Sequence, residues 1–166
     1  MIPENPFSIV RDRLWTIIDA NPFFKAWIRD SNRIRYSDEI GEKRSVGHGD
    51  LPEIVVVPTE FSQSSLGDSA CAYVTAGFKI VSVTGRKNLD MVSAINWEIF
   101  RCIQTFMATV SECQYDGREF VTSCAMASGM QGMTEPENLG VGGWTAVWTL
   151  AVDMAIDNEY LIYEVL

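Results

Sequence analysis

The sequence predicts an α+β domain: a mixed, mainly antiparallel sheet of four to five strands backed by two helices. Three observations carry that prediction. Asn88 to Thr109 reads as one helix of about six turns, because Val92, Ile95, Ile99, Ile103 and Phe106 recur at three- and four-residue steps. Trp144 to Ile156 instead alternates at period two, the signature of a strand with one face buried. Two further strand-like runs, Leu51 to Glu60 and Ser69 to Thr84, precede the helix, and a helix this apolar must lie on them. With 166 residues, 47% of them hydrophobic, residues 1–166 form a single domain with a core of ordinary size.

In chain order, residues 5–20 form an amphipathic helix. Asn5 suits its N-cap and Pro6 its first position, where a missing N–H costs nothing. Phe7, Val10, Leu14, Ile17 and Ile18 share one face, and Asn21-Pro22 ends the helix. Phe23, Phe24, Trp27 and Ile28 make a second apolar cluster of a helical turn or two. Arg33 to Tyr36 suits a short edge strand, and 37–50, rich in charge and glycine, reads as a long mobile loop. In the strand at 51–60 Pro58 marks either its end or an edge position, and Phe61 to Asp68 is expected to form a loop. Gly77 marks a bulge or bend in the next strand.

Asn88 caps the central helix, 88–109. Tyr115 to Arg118 is a turn, and Glu119 to Ser128 a strand with Phe120, Thr122, Cys124 and Met126 on one face. Residues 129–143 form an acidic, glycine-rich loop. The strand 144–156 follows and is long for an isolated domain, so part of it is expected to reach beyond its own sheet. Residues 157–166 form a C-terminal extension, apolar on both faces, fit to pair with its own sheet or a neighbour's edge.

Charge narrows the function. The net charge is −9, and the excess acid lies entirely in residues 51–166, which hold fourteen Asp/Glu against five Lys/Arg. A nucleic-acid binder needs a basic footprint to displace counterions, so that class is disfavoured. No membrane-length apolar window occurs, and the first residues lack the basic-then-apolar order of a signal peptide. Cys71, Cys102, Cys113 and Cys124 lie too far apart for a zinc motif and read as small apolar residues in a reducing compartment.

Catalytic chemistry finds no foothold. His48 is the single histidine, and no Ser, Cys or carboxylate is spaced to partner it. Ser64, Ser65 and Ser69 lack a nucleophile-elbow context; Glu135 and Glu137 sit on a glycine loop that suits solvated carboxylates. The glycines of 129–143 do not follow a phosphate-loop spacing, and Met126, Met130 and Met133 suit a pliable contact surface better than a soft-metal site. No catalytic, cofactor or metal residue is expected.

The order of elements, with the motifs LPEIVVV at 51–57 and GWTAVWTLAVDMAI at 143–156, resembles the tail terminator and tail-completion proteins of long-tailed bacteriophages and related head–tail connector proteins. The likeness covers residues 5 to 156. It implies a non-enzymatic virion protein that forms a homo-oligomeric ring, six-membered in that family, on the end of the tail tube. Such a ring stops tube polymerisation and docks the head. The implied partners are other copies of the chain, the tail tube protein and a head-completion or connector protein. DNA would pass through the lumen without specific binding, and the protein would reside in the host cytoplasm until assembled into the virion. Closing a ring needs a heterologous contact; the residues expected to supply it are Trp144, Trp148, Met130, Met133, Tyr160 and Ile162. The competing reading is a small α+β enzyme or ligand-binding domain whose pocket holds Trp97, Met126 and His48.

Overall fold

A computed structural model describes residues 3–35, 52–65, 70–85, 89–128 and 143–162. The fold begins with helix α1 (Pro6–Ala20) and the short α2 (Pro22–Trp27). Asn5 caps α1 in a reciprocal box with Ser8: its Oδ1 accepts from the Ser8 N–H at 3.1 Å, and the Ser8 hydroxyl accepts from the Asn5 N–H at 3.0 Å. Asn21 then closes one helix and opens the next, accepting from the N–H groups of Phe23 and Phe24 at 2.9 and 3.1 Å. Val10, Leu14, Ile18 and Phe24 turn inward.

Five strands make the main sheet, in spatial order β1 (Arg33–Arg35), β2 (Glu53–Ser65), β3 (Cys71–Gly85), β7 (Gly143–Asp157), β6 (Val121–Ser128). Only the β1–β2 pair is parallel, so the sheet is mixed and mainly antiparallel. Between β3 and β6 run α3 (Leu89–Ala108) and a small hairpin of β4 (Gln114–Tyr115) and β5 (Arg118–Glu119). The hairpin turns through Asp116 and Gly117, both at positive φ, of 49° and 74°.

The core lies between one face of the sheet and the helices. Ile54, Val56, Phe78, Ile80, Leu150, Val152 and Met154 meet Val10, Leu14 and Ile18 of α1 and Ile95, Ile99, Ile103 and Phe106 of α3. Each such side chain contributes ~1.5–3 kcal/mol through burial, which orders α3 far more than helix propensity does. Polar ties fix the helix layer: Arg13 bonds Thr109 at 3.2 Å and pairs with Glu112 at 2.5 Å, and Asn21 donates to Glu98 at 2.9 Å.

Several expectations need correction. Of the two readings of Pro58 the edge position holds and the strand end does not: β2 runs on to Ser65, taking in residues expected to form a loop, because β3 continues beside it to the Ser65–Tyr73 pair. Proline is tolerated there because β1 pairs only with Ile54–Val56, leaving the rest of β2 as an edge among the described residues. The bulge falls on β2 at Thr59, opposite Gly77, where a Cβ would stand 2.6 Å from Thr59 Oγ1. β7 does not outrun its sheet, since β3 pairs with it from Gly143 to Asp157. A register shift between Val121 and Ser123 leaves Thr122 exposed rather than beside Cys124. The C-terminal extension opens with a 3-10 turn, Asn158–Tyr160, not a strand. The loops expected at 37–50 and 129–142, with Met130, Met133 and His48, lie outside the described residues, as does the Asn88 cap.

Candidate assembly surfaces

Both helices occupy one face of the sheet, and neither reaches all of it. Glu98 and Cys102 of α3 meet Asn21 at the junction of α1 and α2. On its other flank Trp97 stacks on Phe100 with centroids 5.9 Å apart, and Phe100 on Trp148 of β7 at 6.1 Å. Trp97 itself stays 60% exposed. Met107, Cys124 and Met126 are half-buried, the last two on β6 at the edge of the sheet.

Trp148 was expected at an interface, but it is only 8% exposed. Its indole N–H donates to Asn96 Oδ1 at 3.0 Å, and the Asn96 amide donates to the Val92 carbonyl at 2.9 Å, so the buried polar groups satisfy one another. The alternation that predicted β7 places Trp148 on the core face, with Trp144 half-buried on the same side. The sequence reading put Trp97 only in the competing pocket and not on an exposed surface, although a signal existed: Arg101 and Gln104, four and seven residues on, share its exposed side of the helix. Trp27, in the aromatic cluster the sequence marks as surplus, is 58% exposed, and Phe61, expected only in a loop, is 68% exposed.

At the opposite flank, α1 and the bulged stretch of β2 enclose a cavity of about 350 Å³ lined by Phe7, Arg11, Pro58, Thr59, Phe61 and Phe78, among others. Phe7 and Phe61 form its apolar wall, with centroids 4.7 Å apart. This is not the pocket expected for a ligand-binding domain: Trp97 and Met126 lie on the other flank, and His48 is outside the described residues.

A third surface surrounds the end of β7. Arg118 bridges Asp157 at 2.9 Å and Glu159 at 2.7 Å, and these acids raise its already high pKa. Tyr160 packs edge-on against Tyr115 at 5.0 Å and donates to Asp116 at 3.0 Å; loss of solvent and that carboxylate push its phenol up to about 12. Tyr160 is thus engaged within the chain, whereas Ile162 is 73% exposed.

The face of the sheet away from the helices carries Val57, Val81, Val147, Thr145 and Thr149, all half-buried, and no described helix covers it. Asp153 sits on this face between two neighbouring strands. It accepts from Thr75 Oγ1 at 2.5 Å and Ser123 Oγ at 2.7 Å, and these bonds hold its pKa below the ordinary carboxylate value.

Burial pushes the thiols of Cys102 and Cys124 up to about 11 and about 12, away from the nucleophilic thiolate. Among the described residues no group of three or more His, Cys, Asp or Glu could hold a metal ion, and no helix is long and apolar enough to cross a membrane. The sequence matches no protein-family model and no curated protein.

Proposed function

We propose that this chain is a structural, non-enzymatic subunit that assembles with copies of itself into a ring, six-membered by family resemblance, capping the tail tube of a bacteriophage. The carrying observation is the apolar surface left over once the helices are seated: Trp27, Phe61, Trp97 and Ile162 are all more than half exposed. On this reading the contacts between copies would bury them.

Lateral closure through the β2 and β6 flanks would leave the helix-free face of the sheet toward the lumen. Thr75, Thr145, Thr149, Ser123 and Asp153 would line it with hydroxyls and acid, suiting DNA that slides without being gripped. The excess acid of residues 51–166 favours the same role. The remaining partners on this reading are the tail tube protein on one side of the ring and a head-completion or connector protein on the other. The site of action is the virion, reached from the host cytoplasm.

Electron microscopy of purified tail tubes incubated with the protein tests the reading. Rings seated on tube ends, with tube growth arrested, are expected. Tubes that elongate with bare ends at saturating protein would refute it.

A further inference from the structure

Past Asp157, where β7 ends, the chain closes into a turn. The Asn158 N–H donates to the Ala70 carbonyl at 2.9 Å, and the Asn158 carbonyl accepts from the N–H groups of Leu161 and Ile162, each at 3.0 Å. The side chains reach across to the β4–β5 hairpin: Asp157 and Glu159 meet Arg118 at 2.9 and 2.7 Å, and Tyr160 donates to Asp116 at 3.0 Å while packing edge-on against Tyr115. That hairpin pairs only Gln114 with Glu119 and Tyr115 with Arg118, in a sheet of its own. Between turn and hairpin lies a recess of about 70 Å³ lined by Pro6, Tyr115, Phe120, Ile156 and Tyr160, among others.

We propose that residues 158–162 form a strap that closes over this recess and opens as one unit, ahead of the rest of the fold, with Arg118 as its catch. The strap is independent of the ring reading, since every contact that defines it lies within one chain. Opening lifts Tyr160 off Tyr115 and bares the recess, so the strap is a conformational device at the end of the sheet.

The boundary between firm and loose structure falls at Asp157. Up to Ile156, β7 is paired with β3 at every residue and buries Val152, Met154 and Ile156. Beyond it Leu161 and Ile162 are both exposed, so apolar burial does not anchor the strap's outer end. The catch is weak by design of its surroundings: the side chains of Arg118, Asp157 and Glu159 are each close to half exposed or more, and water and salt screen both ion pairs. Glu159 and Tyr160 are adjacent on one 3-10 turn, so losing the Arg118 pairs loosens the residue that roofs the recess.

Amide hydrogen exchange on the full chain, read by NMR, tests the strap. The amides of Leu161 and Ile162 should exchange ahead of those of Leu150 to Val152, which lie in β7 with a strand on each side. Arg118→Gln should quicken the two strap amides by ~3-fold or more and leave the β7 amides and the melting temperature close to wild type. Added salt should do the same to wild type. Arg118→Glu combined with Glu159→Arg rebuilds one ion pair and should recover part of the protection, and the Tyr115 ring resonances should move in step as the Tyr160 ring leaves. Strap amides that exchange only together with β7, that ignore both Arg118→Gln and salt, or that quicken while the Tyr115 ring stays as it was would overturn the proposal.

Discussion

At the scale of single residues, three contacts make specific demands. Gly77 has no room for a methyl group against Thr59. Gly77→Ala should cost ~1–3 kcal/mol, the usual range for overpacking, and Thr59→Ala in the same chain should recover most of it, as read by chemical denaturation. Trp148 and Asn96 share a buried hydrogen bond. Asn96→Leu would strand the indole N–H and should cost ~1–3 kcal/mol, with a shifted tryptophan emission maximum. Asp153 acts through pH: two donated hydrogen bonds lower its folded pKa, so its contribution is complete above the unfolded value, ~3.9, and is lost as pH falls through the lowered one. Asp153→Asn should therefore be less stable than wild type at neutral pH and show a shallower loss of stability below pH ~4, measured by thermal melts across pH.

At the scale of elements, legibility followed the clarity of each periodic signal. The helix at 88–109 was readable because its stripe recurs over about four turns; the structure has Leu89–Ala108, with Val92, Ile95, Ile99, Ile103 and Phe106 all buried. In β7, Ala146 to Ile156 alternate into the core as the sequence implies. β2 was misread because Pro58, Thr59 and the polar run after Phe61 carry no alternation. Their strand geometry is imposed by β3, a tertiary influence that local propensity does not contain. Thr122 was misplaced for a related reason, since the bulge between Val121 and Ser123 takes it out of the alternation that Cys124 and Met126 keep. α1 was legible to its first residue because its cap is written in Asn5-Pro6. Asn5→Ala should cost ~0.5–2 kcal/mol, seen as a lowered unfolding midpoint. The contact surfaces were harder. Trp148 and Trp97 are both tryptophans within strongly periodic elements, and only the phase of the period separates the core residue from the exposed one.

At the scale of the whole molecule, the account depends on what two helices fail to cover. They pack on one face of a five-stranded sheet and leave Trp27, Trp97 and Phe61 exposed. Chain entropy makes the folded state only marginally stable, so side chains that gain nothing from folding point to a second event in which they are buried. On the proposed reading, association of like copies would supply that event. Each copy carries a net charge of −9, so association should strengthen with added salt as repulsion is screened, and strengthen with temperature near 25 °C if apolar burial drives it. Both trends can be followed by light scattering. The most direct test is native mass spectrometry of the purified protein over a concentration series. The account predicts one closed species, with a mass that is a fixed multiple of the chain and stops growing as concentration rises. A spectrum of single chains throughout, or of open-ended multiples without a terminal size, would contradict it.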